Sequence, residues 1–201
     1  MKSRKIKKFL KREASKIKVD RSFQRKVCWS NKRCVNFIRC ANMGRAPYPI
    51  VVADCESGLD ESEDFGDEFG KEKYSSYLKN GYKWVSLDGQ NRIEAFRRLF
   101  DNELSISGLW EDADGKEHIV ANNTLFNDLP VRLQDALVDI EIEIKVQHEM
   151  RYRDLHQMFV DINSGDSLNR QEIRNAINSP ISKIIREISE RPSVAEIWPE
   201  V

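Results

Sequence analysis

Histidine is scarce in this chain, with only His118, His148 and His156 among 201 residues, and the three form no metal-ligand pattern. The four cysteines, Cys28, Cys34, Cys40 and Cys55, show no C-x-x-C spacing. No zinc framework is legible, and the thiols read as reduced core or surface residues. There is no long apolar run to cross a membrane. There is no signal peptide either, because the basic, amphipathic N-terminus lacks an uninterrupted apolar stretch. These absences predict a cytoplasmic protein with no membrane partner. No internal repeat is visible. Net charge is missing as well, since Lys+Arg and Asp+Glu number 33 each.

The charges are nevertheless segregated. Residues 1–40 carry 15 basic and 2 acidic side chains, and residues 54–72 carry 9 acidic and 1 basic. A basic arm can seek nucleic acid or an acidic partner, and an acidic loop can fold over it in cis. The plain alternative is two solvated segments. The length suits one core-bearing domain. Residues 1–18 read as a basic helix or arm, 19–190 as the domain, and 54–81 as an acidic insertion loop within it. Residues 191–201 read as a tail or the start of a further region.

Periodicity supplies the elements. Ile6, Phe9, Leu10 and Ile17 fall near one helical face. Ser30 is a suitable N-cap for a helix running to about Met43, with Val35, Ile38 and Ala41 inward and Gly44 ending it. Ile50-Val51-Val52-Ala53 reads as a buried strand. Residues 101–127 are irregular, with Asp114-Gly115 able to turn a small hairpin. A short helix follows Pro130. Ile140, Ile142, Ile144 and Val146 then alternate with Asp139, Glu141, Glu143 and Lys145, the pattern of a strand with one wet face. Residues 149–160 read as a helix with Leu155, Met158 and Phe159 inward, followed by a polar loop at 161–165. Asn169 and Glu172 make a capping box for a further helix, and Ile181, Ile184, Ile185 and Ile188 mark a last one.

The chain is organised around Trp84–Phe100, WVSLDGQNRIEAFRRLF. Trp84-Val85-Ser86-Leu87 are strand formers, Asp88-Gly89 breaks the run, and Ile93, Phe96, Leu99 and Phe100 recur at helical spacing. A strand, a tight turn and a helix start leave amide donors and a positive dipole end facing a ligand. Arg92 adds a guanidinium fork for phosphate, Asp88 a carboxylate for a metal ion, and Gln90 and Asn91 side-chain amides. The competing reading makes Asp88 a helix cap, Gly89 a turn residue and Arg92 a surface charge. Three further clusters sit at element junctions: Gln24-Arg25 before Trp29, Asn163-Ser164-Gly165, and Glu172 with Arg174. Together these groups are the set that grips a triphosphate and its Mg²⁺. Glu143-Ile144-Lys145 on a strand, with Asp128 upstream, has the outline of a nuclease metal site, although a solvated sheet face explains it as well.

On these motifs the chain resembles the N-terminal domain of the GmrSD-type restriction endonucleases, a ParB/sulfiredoxin-like family of bacterial defence systems and phages. The Q-R-x-x-x-W element appears as Gln24-Arg25 to Trp29, and the D-G-Q-Q-R box as Asp88-Gly89-Gln90-Asn91-Arg92. The third segment appears as Phe159 to Gly165 followed by Leu168 to Arg174. The resemblance spans roughly residues 19–190. It implies an α/β (α+β) fold, a small mixed sheet flanked by helices with a helical C-terminal part. It also implies binding and Mg²⁺-dependent hydrolysis of a nucleoside triphosphate (NTP), coupled to DNA cleavage by a separate nuclease domain or subunit. Asp88 would hold Mg²⁺, Gln90 position water, and Arg92, Arg25 and Arg174 bind phosphate. Gln24, Gly89, Asn91 and Asn163 would complete the site, with Glu172 orienting an arginine. Two departures stand out. Asn91 replaces the usual second glutamine, and the HNH-type nuclease domain is absent. Two other readings remain open: a DNA-binding protein without hydrolysis, and an inactive phage-encoded interaction protein.

Overall fold

The computed structural model describes residues 2–22, 24, 29–45 and 49–163. Its strands are β1 (Lys2–Lys5), β2 (Ile17–Lys18), β3 (Ile50–Asp54), β4 (Trp84–Asp88), β5 (Ile106–Glu111), β6 (Glu117–Thr124) and β7 (Glu141–Gln147). Its helices are α1 (Ile6–Arg12), α2 (Asn31–Asn42), α3 (Cys55–Asp64), α4 (Glu68–Lys79), α5 (Gln90–Phe100), α6 (Val131–Asp139) and α7 (Tyr152–Asn163). The class is mixed α/β. A five-stranded sheet runs in the order β1-β7-β3-β4-β2, and β5 and β6 form a separate hairpin. Within the sheet β1 and β4 are antiparallel to their neighbours β7 and β3, while β7–β3 and β2–β4 are parallel.

β3 lies at the centre, and all five of its residues are buried. Its side chains alternate between two apolar layers. Ile50 and Val52 join Ile142 and Ile144 of β7, Ile6 and Phe9 of α1, Ile38 of α2 and Phe96 and Leu99 of α5 on one face. Val51 and Ala53 join Val85 and Leu87 of β4, Cys55, Tyr74 and Tyr77 of α3 and α4, and Leu155 of α7 on the other. The alternation in β7 keeps Glu141, Glu143 and Lys145 exposed while Ile142 and Ile144 are buried. No group of three metal-ligating side chains forms among the described residues. No described helix is long and apolar enough to cross a membrane.

Three expectations change. Residues 1–18 do not make one basic helix: they form β1, α1, a 3₁₀ turn at Ala14–Lys16 and β2. Ile6 and Phe9 have no exposure at all, so this segment is part of the core. Residues 54–81 are not a loop. Asp54 accepts the Ser57 N–H at 3.0 Å and Asp67 the Gly70 N–H at 3.0 Å, so two acidic residues cap α3 and α4. A Cβ on Gly58 would lie 2.5 Å from the Tyr74 ring, a closeness that only glycine permits between these helices. Their inward residues are Cys, Gly, Ser and Tyr, which is why their apolar period is faint. Finally, Asp161 and Ile162 lie within α7 rather than in a polar loop. The expected hairpin does form, and at its tip Asp112 accepts the N–H groups of Asp114 and Lys116 and pairs with His118 at 2.8 Å.

The two charged segments lie on opposite faces of the sheet. α1 packs in the layer with α5, whereas α3 and α4 belong to the layer with α7. The acidic segment therefore does not fold over the basic one.

Candidate functional site

The β4–α5 junction has the geometry that its sequence suggests. β4 ends at Asp88, and Gly89 adopts a left-handed φ of +105° before α5 starts at Gln90. A side chain at Gly89 would also be crowded, since its Cβ would lie 3.0–3.2 Å from Ile50. Asp88 is not a helix cap. One carboxylate oxygen accepts the Gly89 N–H at 2.6 Å and the other accepts Arg92 Nη2 at 2.9 Å. Arg92 Nη1 donates to the Pro49 carbonyl at 2.9 Å. Arg92 is thus no solvated charge, its side chain being only 14 % exposed. It ties α5 to the chain entering β3.

Gln24 comes to the same junction. It is buried, and its Nε2 donates to the Ser86 carbonyl at 2.5 Å, just past Val85, where pairing with β2 ends. Its Oε1 and the Ser86 Oγ are both buried, with no hydrogen-bond partner among the described residues. Such orphaned acceptors and hydroxyls cost roughly 1–3 kcal/mol each. The Trp29 N–H donates to the Asn91 side-chain oxygen at 3.3 Å. Gln24 is thus tied to β4 at Ser86, and Trp29 to the first turn of α5 at Asn91.

Just upstream, Asp20 anchors this segment to the other face. Its buried carboxylate accepts the Ser22 N–H at 2.8 Å, the Tyr77 hydroxyl at 2.5 Å and the Tyr152 hydroxyl. Burial pushes the carboxyl up, but the hydrogen bonds from Tyr152, Tyr77 and Ser22 outweigh it and hold the acid below its ordinary range. Burial first, then the Asp20 charge, pushes both phenols up. Asp20 is thus bonded into the layer of α4 and α7, whereas Trp29 packs against the layer of α2 and α5.

The structure thus gathers Gln24, Asp88, Gly89, Gln90, Asn91 and Arg92. Asn163 is the last residue of α7, which lies across the sheet from α5. Arg25, Glu172 and Arg174 fall outside the described residues, as do Ser164, Gly165 and the helices expected beyond them. Sequence reasoning passed over Ser86, Asp20 and Pro49. For Ser86 a signal exists, a lone polar residue inside the apolar run Val85-Ser86-Leu87. Nothing local marks Pro49, which contributes only its carbonyl.

One test bears on the expected Mg²⁺. Asp88 offers a single carboxylate whose oxygens are already engaged by Gly89 and Arg92. That donor set fits an ion carried in with phosphate oxygens and water, the usual manner for Mg²⁺, and does not fit a resident ion.

The molecule is therefore a mixed α/β domain with a strand–glycine–helix turn closed by an Asp–Arg pair. No protein-family model, curated protein or solved structure matches the chain.

Proposed function

We propose that this chain is a nucleoside-triphosphate-binding and hydrolysing module of a DNA-directed restriction or phage defence system, as its motif resemblance to the GmrSD-type N-terminal domains implies. The observation that carries the reading is the β4–α5 junction, where a left-handed Gly89 opens α5 and Asp88 pairs with Arg92 at 2.9 Å, while Gln24 Oε1 and Ser86 Oγ are buried without partners among the described residues where Gln24 meets β4. A helix N-terminus favours anions, and a buried polar group without a partner calls for one, which a bound ligand or its water would supply. Arg92 would bind phosphate, Asp88 would hold the Mg²⁺ that accompanies it, and Gln90 would position water. Mg²⁺ would neutralise charge on the transferred phosphoryl group.

The test is a thermal-shift titration with each of the four NTPs, with and without Mg²⁺, on the wild type and on Arg92→Ala. A charge-assisted hydrogen bond to phosphate is worth about 1.5–3 kcal/mol, so Arg92→Ala should bind roughly tenfold to a hundredfold more weakly. The absence of any nucleotide-dependent shift in the wild type, or equal affinity in the variant, would overturn the assignment.

A further inference from the structure

The β5–β6 hairpin is a two-stranded ribbon outside the main sheet, so each of its strands has an outer edge. At its tip Asp112 N donates to the Lys116 carbonyl at 2.9 Å, and bonded pairs alternate from there. Trp110 opposite His118 is the next bonded pair. Glu111 opposite Glu117 and Leu109 opposite Ile119 are the unbonded ones, whose N–H and C=O groups point out of the ribbon. On the β5 side α2 covers this outward main chain. Asn42 Nδ2 donates to the Glu111 carbonyl at 2.8 Å and Arg39 Nη2 to the Ser107 carbonyl at 2.9 Å. On the β6 side no described strand or side chain meets the main chain of Glu117 and Ile119. Both residues are exposed, Ile119 to 91 %, which a covered edge would not allow. β6 holds neither proline nor lysine, the residues that commonly block such an edge.

The side chains at this edge are unmatched as well. Leu109 and Ile119 stand directly opposite each other and exposed, while Trp110 and Val120 on the alternate face are buried in the core. Beside them Glu111 and Glu117 are also directly opposite, a like-charge pair that destabilises a ribbon. No cation pairs with either carboxylate among the described residues. Arg132 pairs instead with Asp114, and His118 with Asp112. A third strand along β6 would set its own side chains about 5 Å from those of Glu117 and Ile119. A lysine or arginine there would offset the glutamate pair, and an apolar residue would cover Ile119. A second copy of β6 offers Glu117, Ile119 and Ala121 on that face and no cation, so it fits less well. The same glutamates repel a nucleic acid backbone.

We infer that the outer edge of β6 docks an extended basic segment of a partner protein, which adds as a third strand with a lysine or arginine beside Glu117 and an apolar side chain beside Ile119. Main-chain hydrogen bonds to Glu117 and Ile119 hold the segment, and the glutamate pair selects its charge. The edge belongs to the hairpin and not to the β4–α5 junction, so the inference does not depend on the nucleotide reading.

The probe is a fluorescein-labelled, end-blocked peptide, Thr-Lys-Thr-Val-Thr-Lys-Thr, titrated with the full chain by fluorescence anisotropy. It should bind about tenfold or more tightly than the same peptide with glutamate in place of lysine. At saturation it should slow hydrogen exchange at the Glu117 and Ile119 amides. Glu117→Lys and Ile119→Lys should each weaken binding about tenfold. Both positions are exposed, so the two variants should melt as the wild type does. Two further peptides are N-methylated on alternate residues, one in each phase. One of them loses the N–H groups that face β6 and should bind about tenfold more weakly than the other. Equal affinity of the two would mean charge attraction without strand pairing and would overturn the site. So would a wild type that fails to bind the lysine peptide, unchanged exchange at Glu117 and Ile119, or full affinity in both variants.

Discussion

Asp20 is a carboxylate sunk among phenols, and its hydrogen bonds join residues 20–22 to α4 and α7. Its folded pKa is depressed below the ordinary 3.8. A depressed carboxylate contributes stability that is fully present above the unfolded pKa and lost as pH falls through the folded one. Asp20→Asn should therefore destabilise the protein at pH 7 by about 1.5–3 kcal/mol, the usual worth of a hydrogen bond to a charged group. The variant should also lose less stability than the wild type between pH 7 and pH 3. Urea unfolding at both pH values checks this, and an identical acid-induced loss in the two proteins would mean that another group is responsible. Cys55 shows the opposite environment at the same scale. Burial, with the Asp54 and Glu56 charges behind it, pushes its thiol up to about 12, as expected of an inert core cysteine.

Among the elements, the β4–α5 turn depends on one glycine. Gly89 holds a φ of +105°, and any Cβ there would press on Ile50 at 3.0–3.2 Å. Gly89→Ala should lower stability by about 1–3 kcal/mol through backbone strain, plus the cost of moving Ile50. It should also weaken nucleotide binding, because the Asp88–Arg92 pair is aligned by this turn. A melting curve and an NTP titration of the variant measure both, and an unchanged melting temperature would show that the turn relaxes at no cost. This element was legible in the sequence because Ile93, Phe96 and Leu99 repeat at helical spacing and Asp-Gly interrupts the strand. α2 was legible from the same helical spacing, and β7 from its period-2 alternation. α3 and α4 were not, since Gly58, Ser62, Gly70, Tyr74 and Tyr77 mark a buried face only after the two helices have met. The candidate site divides along the same line. Asp88, Gly89 and Arg92 are neighbours in sequence and could be read together. The hydrogen bonds from Gln24 to Ser86 and from Arg92 to Pro49 span 62 and 43 residues and exist only in the fold.

As a whole molecule, a chain with no net charge is two-faced. Lys8, Lys11 and Arg12 are exposed on α1, and Lys32 and Arg33 on α2, in one layer. Glu56, Asp60, Glu63 and Asp64 are exposed on α3 in the other. The DNA binding proposed for this module belongs on the basic face. Deleting residues 1–18 would remove β1 and the fully buried side chains of Ile6 and Phe9, so the informative variant is Lys8→Ala, Lys11→Ala and Arg12→Ala together. It should fold as the wild type does and bind DNA more weakly. Its slope of log K against log salt should fall by about 0.9 for each DNA phosphate that the variant can no longer neutralise, with NTP affinity unchanged. Fluorescence anisotropy across a salt series measures the slope, and a slope equal to that of the wild type would place DNA elsewhere.

Residues close together in the chain were enough to define the β4–α5 junction and the segregation of charge, while the mixed α/β class came from the motif resemblance. Packing between distant segments settled the rest. It made the basic segment a core strand and helix, because burying Ile6 and Phe9 against the sheet removes more apolar surface from water than a free arm can. It set the acidic helices on the opposite face, so that the charges no longer meet. It also brought Gln24 to Ser86 and Pro49 to Arg92, since hydrogen bonds across such separations form only once the strands have fixed where each main chain runs.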